Sequence, residues 1–232
     1  KTKITSTLIR KKLIDKRSIK RVYTTHGEPF EDEVAIEAPL EISIQKASDI
    51  QAQKISVTMR TPGQDGLLAL GFLFTEGILA NFDQVISVNE MVENEIVIVV
   101  NDETELNTTQ VDRNFYTSSS CGVCGKSSID AIKTVSSFEI KTYDLTVRAS
   151  LLYQLQDLLR EQQTTFNRTG GIHAAALFDG KGSLTDFQED VGRHNAMDKL
   201  VGNCWKNGQL PAKQHILLLS GRASFELIQK AA

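Results

Sequence analysis

The sequence contains 232 residues, of which 41% are hydrophobic and 24% are charged, and its formal net charge is −3. This is the composition of an ordinary soluble chain, and the small negative charge argues against nucleic-acid binding through a basic surface. No apolar run approaches the roughly 18 residues of a membrane span, so we expect no membrane insertion. Three cysteines, two of them in one loop, argue against a disulfide framework and favour the reducing cytoplasm.

Alternating apolar and polar residues predict strands in the first hundred residues, over 33–44, 54–60, 84–88 and 95–100. Pro39 divides the first of these into either two short strands or one bent edge strand. Residues 65–79 carry too many large apolar side chains for a thin amphipathic stripe, so we expect a mostly buried helix, capped by Asp65 and stopped at Gly77. These elements predict an α+β scaffold without evident chemistry.

Leucines recur at helical spacing over 147–163, which predicts an amphipathic helix that breaks at 167–171. The remaining chain alternates between strand and helix patterns, over 172–178, 187–206, 215–220 and the residues after 222. This order predicts a sheet with parallel pairing and helical cover. A helical pattern has only just begun where the sequence stops at Ala232, so we expect further C-terminal residues that belong to the fold.

Cys121 and Cys124 lie three residues apart in the Ser- and Gly-rich stretch 116–125, which is typical of an accessible loop. A short helix predicted over 126–134 would place Cys124 near a helix N-terminus. The positive end of that helix, together with Lys126, would stabilise a thiolate. The spacing suits either two ligands of one metal or a nucleophilic thiol beside a second thiol.

A zinc-binding module needs more ligands than this motif supplies. His173 or His194 could add ligands, but the sequence has no second C-x-x-C motif and no H-x-x-x-H motif. A zinc deaminase would need a glutamate two residues after its histidine, and the residue two positions after His173 is an alanine. A mobile thiol that carries sulfur fits the motif best, with Cys121 as nucleophile and Cys124 as its support. Zinc binding stays as an alternative.

Two polar loops follow strand patterns, and both suit an anion such as a phosphate. In the first, Gly192 would let the backbone approach a ligand, and Arg193, His194 and Asn195 add donors. The second loop, 220–224, offers Ser220, Gly221, Arg222 and Ser224. His173 is either a strand histidine of the interior or a residue of a pocket opened by its small neighbours. Cys204 is interpreted as a packing residue.

Five blocks taken together resemble the FdhD family of formate dehydrogenase accessory sulfurtransferases. They run in chain order from about residue 67 to the end, as Leu70-Gly-Phe-Leu-Phe-Thr-Glu-Gly77, Cys121-Gly-Val-Cys124-Gly125, Thr169-Gly-Gly-Ile-His173-Ala-Ala-Ala, Glu189-Asp-Val-Gly-Arg-His-Asn-Ala-Met-Asp-Lys199 and Leu219-Ser-Gly-Arg222-Ala-Ser. Jointly they are highly specific, whereas the first 60 residues are less diagnostic.

The resemblance implies a homodimeric cytoplasmic protein. Its fold class would be α+β with an α/β part: an N-terminal α+β subdomain over 1–113, then a cytidine-deaminase-like three-layer α/β domain over 114–232 without deaminase activity. Family members accept persulfide sulfur from a cysteine desulfurase and pass it to the molybdenum (or tungsten) cofactor in its bis-guanine-dinucleotide form. That transfer is required for formate dehydrogenase activity.

By motif, Cys121 corresponds to the persulfide cysteine of the family and Cys124 to its companion. The cofactor would be a bound substrate, and a guanine nucleotide would mimic it. From their loop positions we predict that eight residues bind it: His173, Arg193, His194, Asn195, Ser220, Gly221, Arg222 and Ser224. No metal ligand is predicted. A cofactor chaperone that moves no sulfur stays as a second alternative beside the zinc-binding module.

Overall fold

The computed structural model describes residues 3–5, 12–106 and 145–232. The strands are β1 (Lys3–Thr5), β2 (Ile14–Val22), β3 (Gly27–Ala35), β4 (Ala38–Lys46), β5 (Gln53–Arg60), β6 (Val85–Val92), β7 (Glu95–Val100), β8 (His173–Asp179), β9 (Leu184–Asp190) and β10 (His215–Leu219). The α-helices are α1 (Asp65–Thr75), α2 (Ala149–Gln162), α3 (Thr164–Thr169), α4 (Arg193–Lys206) and α5 (Phe225–Ala231), and a 3₁₀ turn spans Phe82–Gln84. The predicted sulfur loop and the short helix behind it lie outside the described residues.

The N-terminal part is built on a mixed sheet with the strand order β1-β6-β7-β4-β5. Its inner face packs on α1 through a core of branched aliphatic side chains that includes Ile42, Ile96 and Leu70. The predicted strands at 54–60, 84–88 and 95–100 are confirmed. They form because β-branched residues cover a pleated surface well.

The pattern on either side of Pro39 belongs to two strands, so the alternative of one bent edge strand was wrong. β3 pairs with β2 in a separate two-stranded ribbon, whereas β4 lies between β5 and β7 inside the sheet. Proline is tolerated in β4 because the pairing with β7 begins only at Glu41. No ladder hydrogen bond to that neighbour therefore depends on the missing N–H of Pro39.

Helix α1 starts differently from the prediction. Gln64 occupies the N-cap position with a left-handed backbone, φ 55°, and Asp65 is the first helical residue rather than the cap. The Asp65 carboxylate is buried and accepts hydrogen bonds from Arg60 Nε at 3.1 Å and Nη2 at 2.8 Å. It therefore neutralises a buried guanidinium. The predicted stop is confirmed, because Gly77 follows the helix with φ 67°.

The C-terminal part is a three-stranded sheet with helices on both faces. Its order is β10-β8-β9, with α2 packed on one face and α4 on the other. Both pairings are antiparallel, so the predicted parallel pairing was wrong for these strands. The reason is β9, whose mostly polar sequence was interpreted as the approach to a helix. A short turn containing Gly182 at φ 89° folds β9 back on β8 as a hairpin.

Helices α1 and α4 pack directly on each other and so join the two sheets. Gly71 makes the close approach possible, because a methyl group added there would lie 1.8 Å from the carbonyl oxygen of Asp198. The predicted helix over 147–163 is confirmed as α2. Among the helices of the described ranges, none is both long and apolar enough to cross a lipid bilayer. The domain boundary at 113/114 falls outside the described residues and stays a prediction.

Candidate functional site

Three strand ends meet at one edge of the C-terminal sheet. The register places His173, at the start of β8, opposite Asp190, at the end of β9. β10 ends beside the start of β8, since Leu219 pairs with Ala175. The loops that follow β9 and β10, which the sequence identified as suited to an anion, therefore lie next to each other and next to His173.

Ser220 fixes the start of β8. Its hydroxyl oxygen accepts a hydrogen bond from the Ala174 amide at 2.8 Å and lies 3.4 Å from His173 Nδ1. Its own amide donates to the Ala174 carbonyl at 3.0 Å. These contacts hold the His173 ring against the 220–224 loop.

Gly221 leaves room for two larger side chains. A methyl group added at this position would lie 3.1 Å from Arg193 Cδ and 3.3 Å from His173 Nδ1. A larger residue would push the arginine and the histidine apart. His173, Arg193, Ser220 and Gly221 thus form one contiguous cluster, which we call the anion site.

Arg193 is half-buried at the first turn of α4. Its Nε atom is buried and has no hydrogen-bond partner within the described residues. An unpaired buried donor costs about 1–3 kcal/mol, and a ligand oxygen that accepted this hydrogen bond would remove the cost. A planar guanidinium binds phosphate or carboxylate oxygens with good geometry.

Both histidines near Arg193 favour the neutral form. Burial, followed by the charges of Arg193 and Lys230, lowers the pKa of His194 from 6.5 to about 4. Burial and Arg193 also lower the pKa of His173, with Asp190 acting in the opposite direction. The positive charge of the site at neutral pH therefore comes from arginine.

His194 contacts the beginning of α5. Its Nε2 lies 3.1 Å from the Ser224 hydroxyl and 3.4 Å from Glu226 Oε2. Ser224 is the N-cap of α5 and accepts a hydrogen bond from the Leu227 amide. The structure thus pairs two predicted site residues with each other, and this pair connects α4 to α5.

Asn195 is turned away from the loop after β10. Its Nδ2 donates to the Met59 carbonyl at 2.8 Å and to Asp190 Oδ1 at 3.0 Å, and its Oδ1 accepts from the Thr58 hydroxyl at 3.3 Å. The side chain connects α4 to β5. Arg222 is exposed in the loop before α5. The assignment of these two residues to a cofactor stays a prediction.

A buried ion pair beneath the site was missed at the sequence level. Lys199 Nζ lies 2.7 Å from Asp190 Oδ2, and both side chains are at most 2% exposed. Lys199 also donates to the carbonyl oxygens of Thr61 at 3.0 Å and Glu189 at 3.3 Å. The available signal was a lysine directly before the apolar Leu200 and Val201 within the predicted helix.

A second buried cluster ties α5 to the rest of the fold. Lys230 Nζ lies 3.0 Å from Asp198 Oδ1 and from Glu76 Oε1, and it donates to the Thr75 hydroxyl at 2.7 Å. Burial alone would lower the pKa of Lys230, but the nearby carboxylates raise it above its usual range. The lysine therefore stays charged and holds α5 in place.

The one cysteine in the described part of the chain is Cys204. It is buried, and burial together with Asp186 raises its pKa to about 11, so it is a poor nucleophile. Within the described ranges, no three His, Cys, Asp or Glu side chains lie close enough to hold a metal ion. Cys121 and Cys124 lie outside these ranges.

Comparison with known proteins identifies the family. The FdhD/NarQ family model matches residues 35–232. The chain belongs to this family. A sulfur carrier protein FdhD from Streptomyces avermitilis is 40% identical over 230 residues, which cover 95% of this chain and 79% of the relative. One from Picrophilus torridus is 42% identical over 201 residues, or 87% of this chain and 74% of the relative. The resemblance seen in the five sequence blocks is confirmed.

The fold agrees with that of a solved structure. The crystal structure of a protein described as a formate dehydrogenase accessory protein from Desulfotalea psychrophila matches with a TM-score of 0.72 at 19% identity, over 95% of this chain and 80% of that one. The mixed α+β class is therefore confirmed. The cytidine-deaminase-like detail stays a prediction.

Proposed function

We propose that this protein is a sulfurtransferase that accepts persulfide sulfur from a cysteine desulfurase and transfers it to the molybdenum cofactor. The transfer would supply the sulfur that formate dehydrogenase needs for activity. We propose further that the protein works in the cytoplasm as a homodimer. The family membership and the C-x-x-C motif at 121–124 support the sulfur-carrying part, since relatives about 40% identical are called sulfur carrier proteins.

The structural observation that carries the cofactor-binding part is the buried, unpaired Nε of Arg193. The Arg193 side chain lies against Gly221, next to His173. A diphosphate has the charge and the acceptor oxygens that satisfy such a donor. The bis-guanine-dinucleotide form of the cofactor carries diphosphate groups, so the residues present fit this substrate.

The first chemical step takes place at Cys121. Its thiolate attacks the terminal sulfur of the persulfide on the desulfurase, the S–S bond of that persulfide breaks, and the desulfurase cysteine leaves as a thiolate. Cys121 then carries the persulfide. The terminal sulfur leaves as sulfide for the cofactor metal when a second thiolate attacks Cys121 Sγ and forms a disulfide with it. Cys124 is the nearest candidate in sequence, and a small thiol could take its place.

Mass spectrometry tests the proposal most directly. The protein is incubated with a cysteine desulfurase and cysteine, and the gain of one sulfur atom is mapped by peptide. We expect the added sulfur on Cys121 and none on Cys204, whose thiol is buried. A Cys204→Ser variant is the matched control and should load as well as the wild type.

Two other experimental outcomes would indicate a different function for the protein. A protein that binds the cofactor but never gains sulfur would be a chaperone rather than a transferase. Stoichiometric zinc that is lost when either Cys121 or Cys124 is replaced would support the zinc-binding module.

A further inference from the structure

Thr61 forms two hydrogen bonds with the segment that leads into α4 and a third with Lys199 of α4 itself. Its amide donates to Asp190 Oδ2 at 3.2 Å, its hydroxyl accepts from the Val191 amide at 3.0 Å, and its carbonyl accepts from Lys199 Nζ at 3.0 Å. The residue is 3% exposed and belongs to the connection between β5 and α1. A residue of the N-terminal part therefore holds the loop that precedes Arg193.

The Asp190 carboxylate also holds this loop. Asp190 Oδ1 accepts from the Gly192 amide at 2.9 Å and from Asn195 Nδ2 at 3.0 Å. Asp190 Oδ2, which accepts from Thr61, is also the partner of Lys199 at 2.7 Å. The backbone from the end of β9 to the start of α4 is thus fixed by buried or partly buried hydrogen bonds at three successive residues, 190, 191 and 192.

We propose that Thr61 is a positioning residue of the anion site. Its hydroxyl fixes the Val191 amide, and this sets the backbone from which Arg193 extends towards Gly221. The inference rests on the proposed function, because it assumes that the anion site binds the phosphates of the cofactor. It adds that a residue outside the C-terminal sheet, Thr61, sets the geometry of that site.

The hydroxyl has a specific part in this arrangement. The amide and the carbonyl of Thr61 would make their bonds with any side chain, whereas the bond from Val191 needs an oxygen on the β-carbon. Valine has nearly the same shape as threonine and lacks this acceptor. Thr61→Val would leave the Val191 amide without its partner and let the loop relax away from its binding geometry. Thr61→Ser keeps the acceptor.

The test measures guanosine diphosphate binding to the full chain by calorimetry, at a temperature where every variant is folded. Thr61→Val should weaken binding about threefold to tenfold, the range expected for one lost hydrogen bond. Thr61→Ser should bind within about twofold of the wild type, since the acceptor is kept. Thr185→Val is the matched control and should bind like the wild type. It also removes one threonine hydroxyl that forms a hydrogen bond, since the Thr185 hydroxyl donates to the Leu177 carbonyl at 2.8 Å in the β8–β9 hairpin.

The outcomes separate the inference from the proposed function. Equal affinity of the wild type and Thr61→Val, even with a lowered melting temperature, would overturn only the role of Thr61. No binding by the wild type would overturn the anion site and the inference together. Hydrogen exchange at the Val191 amide of the wild type adds a test that needs no variant. We expect protection without nucleotide, and protection that appears only after nucleotide is added would overturn the inference.

Discussion

Gly202 of α4 lies against the backbone of Leu67 in α1. A methyl group added to Gly202 would come within 2.0 Å of the Leu67 carbonyl oxygen. Helices usually pack with 8–10 Å between their axes, set by the side chains at the contact, and glycines at the crossing permit the closest approach. This contact keeps the helix that carries Arg193 in register with the N-terminal part.

We expect Gly202→Ala to destabilise the protein although alanine is the better helix former. Alanine stabilises a helix by about 1 kcal/mol relative to glycine, but overpacking typically costs about 1–3 kcal/mol and outweighs this gain. Urea unfolding measures the difference. Gly171→Ala is the control, since its added methyl group would meet nothing closer than 3.8 Å. A variant at Gly202 as stable as the wild type would contradict the close crossing.

Replacing Arg193 by glutamine should weaken guanosine diphosphate binding about tenfold or more. The reason is the loss of charge-assisted hydrogen bonds, each of about 1.5–3 kcal/mol. Calorimetry on the folded variants measures the change. Arg168→Gln is the matched control because Arg168 is exposed and its guanidinium is already bound to Glu33 at 2.6 and 2.7 Å. A similar loss in both variants would indicate a general charge effect rather than a site.

The contribution of His194 to stability should fall as the pH is lowered from about 6.5 to 4, while the buried Asp198, whose pKa is raised to about 6, acts in the opposite direction. The folded protein keeps the pKa of His194 at about 4 instead of 6.5, so in this window the unfolded chain takes up a proton that the folded chain does not. The contribution of this residue reaches about 3 kcal/mol at most, at 1.36 kcal/mol for each pKa unit.

The measurement compares unfolding free energies of the wild type and His194→Gln across this pH range. Relative to the variant, the wild type should lose stability as the pH approaches 4. His26→Gln, at an exposed position in the turn between β2 and β3, should follow the wild-type curve. Parallel curves for wild type and His194→Gln would show that His194 is not kept neutral by the fold.

Cys121→Ala should abolish formate dehydrogenase maturation in cells, whereas Cys124→Ala should reduce it less. The first variant lacks the thiol that accepts sulfur, and the second lacks only a thiol for which small cellular thiols can substitute. Complementation of a strain lacking its own family member measures both. Full activity with Cys121→Ala would exclude the proposed chemistry at this residue.

Several elements were predictable because a single local pattern specifies each of them. The leucines of α2 mark one helix face, and the apolar runs in β8 and β10 mark strands that are covered on both sides. β9 was not predictable in this way, because its residues Leu184–Asp190 are mostly polar and only its hairpin with β8 makes it a strand. For Asp65, the capping preference of aspartate gave way to a buried bond with Arg60.

The sequence by itself determined the family, the two cysteines and the two polar loops, since each depends on residue identity and short spacing. Only the tertiary structure decided which of those polar residues cluster at the proposed anion site and which bind other parts of the protein. It placed His173, Arg193, Ser220 and Gly221 together and turned Asn195 towards β5. It also brought Thr61 to the loop 130 residues away. Such contacts depend on packing between distant segments, which a local pattern does not encode.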